Sequence, residues 1–174
     1  MLEEESSTLK QVTIYTDGGC IGNPGPGGYG VVLMYGQKRR EISGGFRRTT
    51  NNRMEIMVAL AGLEALRYPC DVTIYTDSQY LADSIMQGWA ARWRERGWMR
   101  NKKEAAMNPD LWARLLDVCA VHEVRFAWVK GHAGNPENEC CDRLSMLAAR
   151  SKDLPADEGY ENPQTPAKSI ELAL

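Results

Sequence analysis

The hexapeptide Val-Thr-Ile-Tyr-Thr-Asp stands twice in this chain, as residues 12–17 and 72–77. Each copy is built of β-branched and aromatic residues and ends in an acid, Asp17 or Asp77. Each is followed by a residue suited to a turn or a helix cap, Gly18 or Ser78, so each reads as a strand that delivers an aspartate to its C-terminal end. If the two lie side by side and parallel, their axes are about 4.8 Å apart. Asp17 and Asp77 then emerge on one face, close enough to hold one divalent cation; without a cation two such acids repel. Strand-forming hexapeptides draw on few residue types, and the flanks, Gly-Gly-Cys and Ser-Gln-Tyr, show no wider duplication, so the identity by itself also admits coincidence.

At 174 residues the chain makes one domain with a single substantial core, plus tails. No stretch approaches the roughly 20 apolar residues of a membrane span, and the start, Met1-Leu2-Glu3-Glu4-Glu5, lacks the basic and apolar regions of a signal peptide. A cytoplasmic protein is expected, with no membrane partner. The five cysteines (Cys20, Cys70, Cys119, Cys140, Cys141) are odd in number and contain no C-x-x-C, which suits reduced thiols better than a disulfide framework or a zinc site. The formal net charge of −2 hides a division, because residues 1–8 carry −3 and residues 151–174 another −3, leaving +4 on residues 9–150. A mildly basic body between acidic ends is compatible with a nucleic-acid partner. Residues 1–8 are an acidic extension, and residues 151–174, acidic and holding Pro155, Pro163 and Pro166, are expected to be a mostly disordered tail.

Between the two hexapeptides, residues 18–28 hold six glycines and two prolines and are expected to form a loop, with neither helix nor strand. The loop is neither a Walker motif nor a G-x-G-x-x-G turn opening a helix. Residues 29–35 and 39–46 read as two strands of an antiparallel meander. Thr49, Thr50, Asn51 and Asn52 suit a helix N-terminus. A helix over residues 53–67 follows, with Met54, Met57, Val58, Ala61 and Ala65 on its apolar stripe and Glu55 in its first turn, where the helix dipole alone would favour an acid. Ser78 caps a shorter helix ending near Met86.

Residues 89–103 concentrate the positive charge, with Arg92, Arg94, Arg96, Arg100, Lys102 and Lys103 against one acid, and carry Trp89, Trp93 and Trp98. Trp89 and Trp93, one helical turn apart, are expected to share a face as aromatic anchors for a phosphate backbone, although a solvated amphipathic helix has the same composition. Asn108-Pro109 opens another helix, residues 124–129 form the fifth strand, and His132 sits in a glycine-flanked loop where an imidazole suits proton transfer. The final helix, residues 136–149, carries Asn138 and Asp142 four residues apart on one face.

Four acids thus have special placements: Asp17, Glu55, Asp77 and Asp142. An all-oxygen set of this kind suits Mg²⁺ or Mn²⁺, and two such ions activate a water and stabilise a leaving oxygen at a phosphodiester. Residues 16–29 (Thr-Asp-Gly-Gly-Cys-Ile-Gly-Asn-Pro-Gly-Pro-Gly-Gly-Tyr), 49–55 (Thr-Thr-Asn-Asn-Arg-Met-Glu), 75–79 (Tyr-Thr-Asp-Ser-Gln) and 128–142 (Trp-Val-Lys-Gly-His through Asp) resemble, in order, the motifs of bacterial ribonuclease HI. The resemblance spans residues 9–150 and implies an α/β fold. Its five-stranded mixed sheet has the order 3-2-1-4-5, with strand 2 antiparallel and helices on both faces. It also implies a monomeric endonuclease that hydrolyses the RNA strand of RNA–DNA hybrids with two Mg²⁺ ions, leaving 5′-phosphate and 3′-hydroxyl ends. Asp17, Glu55, Asp77 and Asp142 would bind the metals, and His132 would assist proton movement or product release. Asn23, Asn51 and Gln79, with Cys20, would line the hybrid's minor groove, where the 2′-hydroxyl separates RNA from DNA. Arg48 and Thr50 would meet a DNA phosphate, and Trp89, Arg92, Trp93, Arg94 and Arg96 would form a handle on the DNA strand. One departure is Gly19, where the family commonly has serine; no metal ligand is lost.

Two other functions fit parts of the sequence. A phosphatase of the haloacid dehalogenase type also has a strand ending Thr-Asp-Gly, but it needs an acid two residues after the nucleophile, where this chain has Gly19. A catalytically silent hybrid-binding module would need the handle and the amides but not the four acids.

Overall fold

The computed structural model describes residues 8–131 and 134–163. Its strands are β1 (Lys10–Cys20), β2 (Gly25–Tyr35), β3 (Lys38–Thr49), β4 (Cys70–Thr76) and β5 (Glu123–Trp128). The helices are α1 (Asn51–Glu64), α2 (Gln79–Met86), α3 (Trp89–Glu95), α4 (Pro109–Val121), α5 (Pro136–Ala149) and the short α6 (Glu158–Glu161). The sheet runs β3-β2-β1-β4-β5. Strand β2 is antiparallel to both neighbours, while β1, β4 and β5 are parallel, so the order and sense are those expected.

The two hexapeptides form the centre of this sheet and pair copy on copy: Val12 opposite Val72, Ile14 opposite Ile74, Tyr15 opposite Tyr75. Side chains alternate across a strand. Val12, Ile14, Val72 and Ile74 therefore fall in the main core with Ile56, Leu60 and Leu63 of α1 and Leu115 of α4. Burying one such side chain stabilises the fold by about 1.5–3 kcal/mol. Tyr15 and Tyr75 alternate out of that core, and their rings stack 5.2 Å apart at 18°. A smaller cluster, Val32 with Cys140 and Cys141 of α5, receives Tyr15.

Three expectations are corrected. The glycine-rich stretch is mostly strand: β1 continues through Gly18, Gly19 and Cys20, β2 begins at Gly25, and only residues 21–24 connect them. The glycines serve close approach rather than looseness. A Cβ on Gly28 would collide with the Ser145 carbonyl of α5, and one on Gly30 with the Cys141 carbonyl, so bare backbone lets α5 lie against the sheet. The apolar stripe of α1 also differs. Met54, Ile56, Val58, Ala59, Leu60 and Leu63 are buried, whereas Met57, Ala61 and Ala65 are only partly so, because α1 is enclosed between the sheet and α4.

The third correction concerns the C-terminal tail. Residues 151–163 are ordered against the domain, Arg47 N–H donating to Pro155 O at 2.9 Å and Arg47 pairing with Glu161 at 3.0 Å. Asp157 lies buried, and its partner Arg53 explains why an acidic, proline-containing segment packs: a buried guanidinium needs carboxylates. Residues 164–174 of the expected tail and residues 1–7 of the acidic extension lie outside the described residues. Among the described residues, no helix is long and apolar enough to cross a membrane.

Candidate active site

The parallel register of β1 and β4 sets the site, because it carries Asp17 and the residue following β4, Asp77, to the same end of neighbouring strands. Thr16 and Thr76, both buried, tie these ends together: Thr16 Oγ1 donates to Tyr75 O at 2.8 Å, and Thr76 Oγ1 accepts from Ser78 N–H at 3.0 Å. Trp128 at the end of β5 adds a second hold, its indole N–H donating to Asp77 O at 3.1 Å. Asp17, Asp77, Thr16, Val129, Gly131 and Asn138 line a cleft of about 20 Å³, space for roughly one water-sized body.

The electrostatics show how the four acids share this place. The Asp17 carboxyl is pushed up to about 7, first by burial, then by the charges of Asp77 and Asp142 and by a hydrogen bond with Asp142, against which Gly18 N–H pulls it down. Burial likewise raises Glu55 above its ordinary value; the Ser78 hydroxyl opposes this and the charge of Asp77 adds to it. All four carboxylates thus interact across β1, α1, the β4 end and α5. His132 lies outside the described residues. Among the described residues, no three His, Cys, Asp or Glu side chains close around a single point. Like charges this close repel, and without a cation the acids pay for it at Asp17, the carboxyl that burial and its neighbours raise most. The residues present fit a divalent ion: the donors are all oxygen, and the repulsion that raises Asp17 is what a bound cation relieves.

This carries a pH prediction. The folded-state value of Asp17 lies above its unfolded value of 3.8, so its contribution to stability is fully present below pH 3.8 and is lost as pH rises through about 7. Asp17→Asn, which cannot ionise, is therefore expected to melt higher than the wild type at pH 8 in a chelator. The gain is on the order of 2 kcal/mol, about 4–8 °C, after allowing for relaxation around the charge. The gap should close near pH 4, and calorimetry giving a pH-independent difference would contradict the assignment.

A second group gathers where β1, β2 and α1 meet. Asn51 Oδ1 accepts from Cys20 N–H at 2.8 Å, and Asn51 N–H donates to Asn23 Oδ1 at 3.2 Å. Thr50 is the N-cap of α1, its hydroxyl accepting from Arg53 N–H at 3.2 Å. Gln79 is exposed at the start of α2, and Arg48 is exposed near the end of β3. The Cys20 thiol, pushed up to about 11 by burial and by the charge of Asp157, is a poor nucleophile.

The basic segment divides. Trp89, Arg92, Arg96 and Arg100 line a concavity of about 270 Å³ together with an edge of Trp93 and Asn101. Trp93 and Trp89 do not share an outward face: Trp89 is 36% exposed and Trp93 only 8%. The Trp93 ring is core, packed at 5.9 Å and 72° on Trp112 and at 6.3 Å on Tyr80, since a large apolar body gains most by burial. Arg94 turns instead to Asp117 of α4 at 2.7 Å, an exposed pair worth little.

Sequence reasoning passed over Trp128 and Ser78 as site residues, and Arg53 altogether. Ser78 was legible only as a cap, which it is, its hydroxyl also accepting from Leu81 N–H at 3.1 Å. Trp128 stands at the end of β5 directly before the histidine loop, and that position was the available signal.

A five-stranded mixed sheet of this order, with acids meeting at the ends of its two central parallel strands and on α1 and α5, defines a nuclease of the ribonuclease H fold. A family model described as RNase H matches residues 9–150, and the chain belongs to that family. It is 64% identical over 151 residues to a ribonuclease H of Syntrophus aciditrophicus, covering 87% of each chain. It is 63% identical over 153 residues to a ribonuclease H of Rippkaea orientalis, covering 88% of this chain and 94% of the relative. Among solved structures, LC9-RNase H1, a type 1 RNase H with the type 2 active-site motif, superposes with a TM-score of 0.72 at 33% identity, covering 81% of this chain and 72% of that one. LC11-RNase H1, solved in complex with an RNA/DNA hybrid, superposes with a TM-score of 0.61 at 25% identity, covering 79% of this chain and 96% of that one.

Proposed function

We propose that this chain is an endonuclease that hydrolyses the RNA strand of RNA–DNA hybrids, with Asp17, Glu55, Asp77 and Asp142 holding two divalent ions, Mg²⁺ or Mn²⁺. The observation that carries the reading is that the two in-register hexapeptide strands bring Asp17 and Asp77 to one end, where the charges of Asp77 and Asp142 both raise the Asp17 carboxyl. Bound there, the ions supply positive charge at the attacking water and at the leaving oxygen. The chain's own groups do the rest. Asn23, Asn51 and Gln79 present amides to the minor groove, where Glu55 also meets a 2′-hydroxyl, so that strand choice follows the sugar. Trp128 and Thr76 keep the Asp77 backbone fixed while the substrate is aligned. His132 moves a proton at the phosphodiester or helps product leave. Water, rather than a side chain or the 2′-hydroxyl, attacks phosphorus: a P–O bond to the water oxygen forms, the P–O3′ bond breaks and the 3′ oxygen takes a proton, so the products carry 5′-phosphate and 3′-hydroxyl ends. Ligating the cleaved RNA fragments tests this directly, since 3′-phosphate or cyclic ends would fail to join.

Arg48 and Thr50 lie on the same edge as Asn51 and face a phosphate of the DNA strand in this reading. The concavity under Trp89, Arg92 and Arg96 receives further DNA phosphates, each neutralised phosphate releasing counterions. Replacing Arg92 and Arg96 by alanine is expected to lower the slope of log Kd against log salt by about 1–2, with a smaller effect from Arg94, which is held by Asp117. A filter-binding series in salt measures it, and an unchanged slope returns the segment to a solvated helix. We further propose that it works in the cytoplasm, as a monomer; unpaired Cys20, Cys70, Cys119, Cys140 and Cys141 are compatible with a reducing compartment.

A further inference from the structure

The family match ends at residue 150, yet the segment beyond it is tied to the substrate edge of the site. Asp157 is 5% exposed. Its Oδ2 accepts from Thr49 Oγ1 at 2.6 Å and from Arg53 Nε at 2.7 Å, and its Oδ1 accepts from Arg53 Nη2 at 2.9 Å. Thr49 closes β3 and Arg53 lies in the first turn of α1, so one carboxylate grips both sides of the joint between them. Inside that grip stand Thr50 and Asn51. From Asn51 the bonds continue to Cys20 N–H and Asn23 Oδ1, which completes a connected path from Asp157 to the residues placed along the minor groove. The charge of Asp157 is also felt at the Cys20 thiol, consistent with this closeness.

Asp157 is not the only tie on its segment. Arg47 binds the same segment twice, through Pro155 O and through Glu161, and Arg53 retains a separate fork to Asp110. What Asp157 alone supplies is the link between Thr49 and Arg53. We propose that Asp157 is a positioning residue for hybrid binding: it fixes the β3–α1 joint so that Thr50, Asn51, Cys20 and Asn23 are aligned on the substrate. The proposal rests on the hybrid-cleaving function above and adds to it a determinant that lies outside the family's matched region.

The test uses Asp157→Asn, which keeps the shape and loses the charge, and Thr49→Val, which removes one hydroxyl and leaves both ion pairs of Arg53. Steady-state cleavage of a labelled RNA–DNA hybrid gives KM and kcat, and fluorescence anisotropy on an Asp77→Asn background gives Kd without turnover. KM and Kd are expected to rise about tenfold in Asp157→Asn and about threefold in Thr49→Val, the scale of a lost polar contact, with kcat within about twofold of wild type. Val72→Ala, in the core at the opposite end of β4 from Asp77, serves as the stability control and should lower Tm without moving KM. Unchanged KM and Kd in both variants, with Tm lowered as in the control, would overturn the proposal and leave Asp157 a purely structural residue. If Asp157→Asn does not fold, Thr49→Val decides alone. A wild type that binds hybrid without cutting it removes the catalytic reading but leaves the Kd comparison to judge Asp157; a wild type that does neither overturns both.

Discussion

Arg53→Ala is expected to lose about 3–5 kcal/mol of folding stability, the usual penalty for stranding a buried partner charge. The Arg53 side chain is 3% exposed and that of Asp157 7%. All five guanidinium N–H groups find acceptors: Nε and Nη2 fork onto Asp157, Nη1 and Nη2 fork onto Asp110 at 2.9 and 2.7 Å, and Nη1 also reaches Asn108 Oδ1 at 3.2 Å. Two planar forks on one side chain cannot be reproduced by an ammonium, so Arg53→Lys should recover little of the loss. Equilibrium denaturation in guanidinium checks the value, and a loss below about 1 kcal/mol would mean the network is not what holds residues 151–163. Acid should narrow the gap. Burial alone would raise the Asp110 carboxyl, but the hydrogen bonds and charge of Arg53 outweigh it and hold it below its ordinary 3.8. A depressed acid contributes stability above its unfolded value that is lost as pH falls through the folded one, so the wild type approaches the variant below about pH 4.

The second large effect is catalytic. Asp17→Asn and Asp77→Asn should each reduce hybrid cleavage by about 10³-fold or more, because an amide oxygen is a neutral, weaker ligand and the remaining acids cannot hold the ions in the same geometry. Hybrid affinity should change by less than about threefold, since the amides and the handle lie on other elements. Removing one more acid from a variant already inactive should add little, the four acting as a unit. Near-normal turnover in either single variant, measured on the same labelled hybrid, would sink the metal-site assignment.

Much of this was readable from the residues, and what was not has a common cause. The two hexapeptides announced strands because β-branched alternation is local, and their shared register follows from identical alternation on both. Ser78 and the helix from Pro136 were likewise marked by caps, which are properties of neighbours in sequence, whereas Glu55 lies beyond the first turn expected for it, because α1 starts two residues earlier, at Asn51, with Thr50 as its cap. The glycine stretch misled because its composition reads as a loop by any local rule, whereas its glycines give room to tertiary neighbours, Gly18 to Met54 of α1 and Gly28 to Ser145 of α5. Arg53 looked like an ordinary first-turn residue because the carboxylate that explains it is 104 residues distant. Trp93 was read as an anchor for phosphates because spacing alone pairs it with Trp89; only the position of Trp112 on another helix shows that it faces inward. In each case the missing information was a tertiary partner.

The most direct test of the central claim is a single incubation of the wild-type protein with Mg²⁺ and an RNA–DNA hybrid, labelled separately on each strand, beside a DNA duplex of the same sequence. Internal cuts confined to the RNA strand, abolished by a chelator and by Asp77→Asn, are the expected result. An RNA strand left intact while the hybrid is bound, or equal cutting of the DNA strand, would contradict it.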